Sequence, residues 1–130
     1  MSLFSKKKPF FTPEENEAII QAICEAEKQT SGEIRLFVES KCNYVDPLDR
    51  AMEVFHQLKM GNTDLRNGVL FYVATKDKQL AIFADKGIHE ATGSEHWKNV
   101  VQEILAFFGR DNVVGGITRT IRSIYQREKE

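Results

Sequence analysis

The stretch "VLFYVATKDKQLAIFA", residues 69–84, decides the fold of this 130-residue chain. Its first part, 69–75, is almost continuously apolar and rich in residues that favour strands. This pattern predicts a central β-strand that is covered on both faces. The charged turn at 76–78 and the apolar run at 79–84 predict a returning antiparallel strand. The two strands form a hairpin around which the other elements are expected to pack.

Capping motifs and apolar periodicity predict the elements around this hairpin. Thr12 and Pro13, followed by Glu15, are typical of a capped helix start, and Asp46-Pro47 repeats the signal. Alternation of apolar and polar residues before Asp46 indicates a strand. The predicted elements are helices at about 13–30, 47–60, 95–108 and 117–128 and a first strand at 33–39.

The order of these elements predicts the fold class. A helix separates the first two strands, so they are expected to be parallel and joined by a right-handed crossover. The third strand pairs antiparallel with the second. The chain is therefore predicted to be an α/β fold, a three-layer sandwich in which helices cover both faces of a small mixed sheet. We expect residues 1–11 to form a flexible arm and residues 12–130 to form a single domain.

Composition excludes several classes of protein. Hydrophobic residues make up 42% and charged residues 28%, which is typical of a globular domain. The formal net charge is −1, from 18 basic and 19 acidic residues, so no nucleic-acid partner is expected. No stretch approaches the roughly 18 apolar residues of a membrane span, and no apolar segment follows the N-terminal lysines. We expect a cytoplasmic monomer without a membrane span.

The predicted topology brings two polar loops together. The second strand begins, and the third strand ends, at the same end of an antiparallel hairpin. The loop "TDLRNG", 63–68, should therefore face "DKGIHE", 85–90. Side-chain oxygens of four residues are expected to converge there: Asp64, Asn67, Asp85 and Glu90.

Oxygen ligands of this kind are those that Ca²⁺ and Mg²⁺ prefer. Empty carboxylates held close together repel one another, and a divalent cation relieves that repulsion. We therefore expect a Ca²⁺ or Mg²⁺ site at these loops. The same ion could bind a phosphate oxygen and lower the pKa of a bound water, which is the minimal apparatus for phosphoester hydrolysis. No EF-hand loop, phosphate-binding glycine loop or H-E-x-x-H motif occurs in the chain.

Two longer stretches resemble the TPM domain family. "FFTPEENEAIIQAICEAEKQTSGEIRLFV", 10–38, is similar to the family's capped helix followed by a T-G-E-like turn and an apolar strand. "RNGVLFYVATKDKQLAIFADKGI", 66–88, is similar to its most recognisable segment, in which N-G-V-L opens an apolar strand, a charged turn follows, and the next strand ends in glycines. The resemblance extends over roughly residues 12 to 126.

The resemblance implies an α/β sandwich whose acidic loops are associated with divalent metals, including calcium. Members include a plant thylakoid protein described as an acid phosphatase, a photosystem II repair factor, a nematode receptor modulator and many bacterial proteins. This chain departs from the family pattern at three positions. Arg66 and His89 stand where many relatives have an acidic residue, and Asp85 stands where relatives often have glycine.

These observations lead to three functional hypotheses. The first is a domain that binds Ca²⁺ or Mg²⁺ and has a regulatory or scaffold role. The second is a metal-dependent acid phosphatase acting on phosphomonoesters, in which Arg66 or Lys86 neutralises charge and Asp85 or a histidine acts as general base or acid. The third is a protein-interaction module without chemistry, with a protein as its partner.

Overall fold

The computed structural model describes residues 11–28, 32–88, 94–108 and 115–122. Its elements, in chain order, are α1 (Pro13–Glu27), β1 (Ile34–Glu39), α2 (Pro47–Gln57), β2 (Val69–Ala74), β3 (Gln79–Ala84), α3 (Ser94–Phe108) and α4 (115–122). A short helical segment at 86–88 follows β3. Within these described ranges, no helix is both long and apolar enough to cross a membrane.

The sheet has the strand order β1-β2-β3. β1 runs parallel to β2, with Ile34 opposite Val69 and Glu39 opposite Ala74. β2 runs antiparallel to β3, with Val69 opposite Ala84. The predicted mixed sheet is therefore confirmed, including the parallel pair that the intervening α2 makes possible.

Helices cover both faces of the sheet, so all six residues of β2 are buried. Alternate residues of the strands point to opposite sides, which divides the core in two. One side packs against α1, α3 and α4, and the other against α2; this confirms the three-layer sandwich. The first core contains Ile19, Ile23, Ile34, Leu36, Val69, Phe71, Val73, Leu80, Ile82, Trp97, Ile104, Ile117 and Ile121 among others. The second contains Ala51, Val54, Phe55, Met60, Leu70, Tyr72, Ala74 and Ala81.

The predicted start of α1 is confirmed by its hydrogen bonds. The Glu15 backbone N–H donates to the Thr12 hydroxyl at 3.1 Å, and the Thr12 N–H donates to the Glu15 carboxylate at 2.9 Å. This reciprocal capping box satisfies two backbone donors at the helix N-terminus. Phe11, just before the cap, is buried in the first core. Residues 1–10 of the predicted arm lie outside the described ranges, so the domain boundary stays a prediction.

The ends of α1 and α2 differ from the prediction. α1 ends at Glu27 rather than near residue 30, and α2 ends at Gln57 rather than near residue 60. Lys59 has a left-handed backbone with φ 57°, and the Met60 N–H donates back to the Phe55 carbonyl at 3.1 Å. This Schellman-type ending normally uses glycine, so a lysine in that place gave no sequence signal.

Candidate functional site

The two polar loops meet where β2 begins and β3 ends. The Asp85 N–H donates to the Gly68 carbonyl at 2.9 Å, and the Gly87 N–H donates to the Arg66 carbonyl at 2.8 Å. These bonds extend the hairpin ladder by one pair and then join the loop at 63–68 to the segment at 85–88. The predicted juxtaposition of the two loops is therefore present in the described residues.

Gly87 allows the backbones of the two loops to approach closely. A Cβ atom on this residue would lie 2.1 Å from the Leu65 carbonyl oxygen and 2.8 Å from that of Arg66. Both distances are far shorter than an ordinary van der Waals contact, so a side chain here requires the backbone to move. The absence of a side chain at Gly87 is what brings Arg66 within reach of Asp85.

An ion pair between Arg66 and Asp85 lies at the centre of this junction. The Arg66 Nε donates to Asp85 Oδ2 at 2.8 Å, and Nη2 donates to Oδ1 at 3.0 Å. The Lys86 backbone N–H donates to the same Oδ1 at 2.8 Å. The Asp85 side chain is only 4% exposed, whereas the Arg66 side chain is 41% exposed. The carboxylate is therefore buried and neutralised by a guanidinium that water can reach.

Arg66 adopts a backbone conformation that is uncommon for this residue type. Its φ of 50° lies in the left-handed region, which costs a non-glycine residue about 1 kcal/mol or more. The hydrogen bond to Asp85, followed by the attraction between the two charges, raises the pKa of the Arg66 guanidinium above its ordinary value. This conformation is held by the bidentate pair together with the backbone hydrogen bonds of Arg66 to Thr63 and Gly87.

The other three predicted site residues, Asn67, Asp64 and Glu90, differ in their burial and in whether the structure describes them. Asn67 is 1% exposed, and its backbone N–H donates to the Thr63 hydroxyl at 3.2 Å. A Cβ atom on Gly32 would meet the Asn67 carbonyl oxygen at 2.4 Å, so Asn67 lies against the residues that precede β1. Asp64 is exposed. Glu90 lies outside the described residues.

The described residues only partly fit a divalent cation. Carboxylate and amide oxygens are suitable donors, and the loops that carry Asp64, Asn67 and Asp85 meet. However, both Asp85 oxygens already accept hydrogen bonds from Arg66. No group of three or more histidine, cysteine or carboxylate side chains that could hold a metal occurs within the described ranges. A cation at Asp85 would therefore have to replace the guanidinium, and the metal site stays a prediction.

A second polar cluster, which the sequence reasoning missed, lies at the opposite end of the sheet. Arg50 on α2 donates to both oxygens of Glu39 at the end of β1, with Nε–Oε2 at 2.9 Å and Nη2–Oε1 at 3.1 Å. The same guanidinium contacts Glu53 one turn along the helix. The hydroxyls of Tyr72 and Tyr44 donate to Glu39 and Glu53, respectively.

The charges in this cluster shift the ionisation of its members. Burial alone would raise the pKa of Glu39, but hydrogen bonds from Arg50 and Tyr72 outweigh it and lower the pKa below its ordinary value. Burial of Tyr72, together with its hydrogen bond to Glu39, raises the pKa of the phenol. The cluster is therefore locked as carboxylate, guanidinium and neutral phenol, which suits a structural clamp between α2 and the sheet.

A sequence signal for this cluster existed but was weak. Arg50 and Glu53 have the i, i+3 spacing of neighbours on a helix surface, and Glu39 ends a strand that is parallel to the next one. In open α/β sheets, polar side chains beyond the carboxyl ends of parallel strands lie near one another. Tyr72 within an apolar strand gave no indication that its hydroxyl would reach Glu39.

The fold and the loop pair define a class: a three-layer α/β domain with a short mixed sheet and a close junction between the loops that flank its hairpin. The sequence model of the TPM domain family matches residues 5–127. The chain belongs to the TPM domain family. The family resemblance at 10–38 and 66–88 is thereby confirmed.

Solved structures of the same fold support this assignment. BA42 protein from the psychrophilic bacterium Bizionia argentinensis is 44% identical to the chain, with a TM-score of 0.82, and the alignment covers 95% of this chain and 85% of that one. The N-terminal domain of a protein from P. gingivalis is 14% identical, with a TM-score of 0.72 and coverage of 90% and 75%. The N-terminal domain of cg2496 protein from Corynebacterium glutamicum is 12% identical, with a TM-score of 0.67 and coverage of 95% and 85%. The last two show similarity of fold alone, and a comparison with curated proteins gave no match.

Proposed function

We propose that this TPM domain binds a divalent cation, Ca²⁺ or Mg²⁺, in competition with Arg66 and has a regulatory or scaffold role. The observation that carries the proposal is the asymmetry of the ion pair: Asp85 is 4% exposed, whereas Arg66 is 41% exposed. A buried carboxylate needs a positive partner, but an exposed guanidinium can return to water at low cost. Asp85 is therefore a cation ligand whose present partner is exchangeable.

The residues next to Asp85 supply further oxygen atoms for such an ion. Asp64 lies in the facing loop and is exposed, so its carboxylate is free to turn towards a cation. Hard cations bind carboxylates together with backbone and amide carbonyl oxygens, and the Asn67 side chain offers an amide oxygen. Glu90, the fourth predicted ligand, would come from the segment that follows the described residues at 85–88.

A regulatory role follows from the structural effect of exchanging Arg66 for a cation at Asp85. The Arg66 guanidinium is a side-chain link between the two loops, and its backbone is strained. If a cation takes its place, Arg66 is released to the surface and the two loops are joined by the ion. Occupancy would then alter the charge and shape of this end of the domain without any change in the core.

A cation titration with matched variants tests the proposal. We expect Ca²⁺ or Mg²⁺ to shift the backbone amide signals of 63–68 and 85–88 in the wild-type protein. Arg66→Gln should bind the ion more tightly than the wild type, because the competing guanidinium is removed. Asp85→Asn should abolish the shifts. Asp77→Asn is the control, since Asp77 is an exposed carboxylate in the hairpin turn at the opposite end of β2 and β3.

Two outcomes would contradict this proposal. The first is that millimolar Ca²⁺ and Mg²⁺ leave the amide signals of both loops unchanged in the wild type and in Arg66→Gln. The second is that Asp77→Asn weakens binding as much as Asp85→Asn does, which would indicate nonspecific attraction of cations to surface charge.

The phosphatase alternative is less well supported by the geometry. A general base must present a lone pair to the attacking water, whereas both Asp85 oxygens accept hydrogen bonds from Arg66. Turnover of an aryl phosphate that is lost on adding a chelator and also lost in Asp85→Ala would favour this alternative. The cytoplasmic location and the monomeric state stay predictions from the sequence.

A further inference from the structure

A groove runs along the outer edge of β3, between the start of α2 and one face of α3. Its volume is about 440 Å³, within the range of sites that bind small ligands and short peptides. Its walls are mainly apolar and include side chains from all three elements. Those that matter here are Leu48 on α2, Leu80 and Ile82 on β3, and Trp97 and Val101 on α3. The groove begins next to Asp85, at Ala84, but neither Arg66 nor Asp85 lines it.

The floor of the groove is β3, whose outer side pairs with no other strand among the described residues. Asp85 pairs with Gly68 through a ladder hydrogen bond, and ladder bonds alternate along an antiparallel pair. The N–H and C=O groups of Leu80, Ile82 and Ala84 are therefore directed away from β2.

Because these residues are buried, leaving their outward backbone N–H and C=O groups without a hydrogen bond would destabilise the fold. Leu80, Ile82 and Ala84 are 2%, 4% and 6% exposed, so little of each residue is accessible to water. Backbone polar groups in buried positions are almost always hydrogen-bonded, and open edges are ready to accept another strand. The edge therefore offers both donors and acceptors at strand spacing inside an apolar groove.

Trp97 supplies an independent indication of a polar ligand. This residue is 5% exposed and lines the groove. Its buried indole Nε1–H has no hydrogen-bond partner in the part of the chain that the structure describes. A buried N–H without an acceptor is destabilising, so an acceptor on the occupant of the groove would be stabilising. Lys98 and Asp46 line the same groove with opposite charges.

We propose that this groove binds an extended peptide segment of a partner protein, which adds to β3 as a fourth strand. Main-chain hydrogen bonds to Leu80, Ile82 and Ala84 provide the affinity, as in other cases of strand addition. Apolar side chains of the segment contact Trp97 and Val101. A peptide oxygen accepts from the Trp97 indole, and an acidic side chain of the segment lies near Lys98. The proposal is independent of cation binding.

The test uses the full chain and a defined probe, the blocked hexapeptide acetyl-Thr-Val-Glu-Val-Thr-Val-amide. We expect its addition to shift the amide signals of Leu80, Ile82 and Ala84 more than those of the loop at 63–68. The same peptide with every second amide N-methylated keeps its side chains but cannot complete the ladder. It should bind at least about tenfold more weakly, since several backbone hydrogen bonds are lost.

Protein variants separate the groove from the rest of the surface. Trp97→Phe keeps the apolar wall but removes the indole donor, and it should weaken binding about threefold to tenfold. Lys98→Glu reverses an exposed charge at the groove and should also weaken binding, whereas Lys86→Glu changes an exposed lysine outside it and should not. Because Lys98 is on the surface, this pair of variants remains informative if Trp97→Phe unfolds.

Three results would overturn the proposal. One is that the hexapeptide produces no shift at β3 at millimolar concentration. Another is that the N-methylated peptide binds as well as the unmodified one, which would indicate an apolar pocket without strand addition. The third is that the peptide-free protein shows cross-strand contacts from Ile82 to another segment of this chain, because the edge would then already be filled.

Discussion

Replacing Gly87 with alanine tests the close approach on which the loop junction depends. The added Cβ would lie 2.1 Å from the Leu65 carbonyl oxygen and 2.8 Å from the Arg66 carbonyl oxygen. Relief of these contacts requires the loops to separate by roughly 1 Å, since overlaps of this kind are resolved by backbone shifts. That movement stretches the 2.8 Å hydrogen bond from the Gly87 N–H and draws Arg66 away from Asp85.

The magnitude follows from these two losses. Overpacking against backbone costs about 1–3 kcal/mol, and a lost backbone hydrogen bond adds about 1 kcal/mol. We therefore expect Gly87→Ala to lower the free energy of unfolding by about 3 kcal/mol. For a domain of this size, such a loss corresponds to a fall in Tm of roughly 10 °C.

Gly61→Ala is the matched control, because the same substitution there meets only ordinary contacts. The nearest atoms to its Cβ would be Arg66 Nη2 at 3.7 Å and Phe55 Cε1 at 3.9 Å. We expect this variant to be neutral or up to about 1 kcal/mol more stable, since alanine reduces the freedom of the unfolded chain. Trp97, the single tryptophan and 5% exposed, reports unfolding in urea by its fluorescence.

One result would refute the reasoning about Gly87. If Gly87→Ala unfolds within about 0.5 kcal/mol of the wild type, the common range for harmless surface substitutions, the loops are not in close contact. Unchanged amide signals for Leu65 and Arg66 in the same variant would support that conclusion. An equal loss of stability in Gly61→Ala would show instead that the effect of alanine at these glycines is unrelated to the loop junction.

Three further predictions concern the rest of the domain. Tyr72→Phe removes the hydroxyl that donates to Glu39 and should lower stability by about 1 kcal/mol in urea unfolding, while the bidentate contact from Arg50 to Glu39 persists. Because the pKa of Glu39 is lowered on folding, its contribution to stability is complete above its ordinary pKa of 4.5 and is lost as the pH falls through the lower folded value. The difference in the free energy of unfolding between wild type and Glu39→Gln should therefore shrink on acidification below pH 4.5. A constant difference would argue against the ion pair. Thr12→Ala removes the capping box with Glu15 and should cost about 1 kcal/mol, measured by thermal unfolding with a far-ultraviolet circular dichroism signal.

Much of the architecture could be derived from local patterns because local physics produces it. The apolar run at 69–75 is a strand buried on both faces, and period-two alternation identified β1 beside it. The Thr12 and Asp46 caps specified where α1 and α2 begin, because each side-chain oxygen accepts from a backbone N–H two or three residues further on. Hairpin topology alone was enough to predict that the loops at 63–68 and 85–90 share one end of the sheet.

The partners of individual side chains could not be derived in this way. Nothing local to Asp85 indicates that it is buried, or that Arg66, 19 residues earlier, bonds to both of its oxygens. The contact of Tyr72 with Glu39 likewise joins residues 33 positions apart. Such contacts depend on the distance at which the elements pack. At the loop junction, that distance depends on the close approach at Gly87 and on the left-handed backbone of Arg66.

The sequence by itself therefore determined the order of the elements, the mixed three-layer sandwich and the family, because capping, periodicity and turn chemistry act over a few residues. Only the tertiary structure decided that Asp85 is paired with Arg66 rather than left open for a ligand. It also showed that the buried edge of β3 lines a groove beside Trp97. The physical reason is that hydrogen bonds and ion pairs require atoms to meet within about 3 Å, a precision that only the folded chain sets.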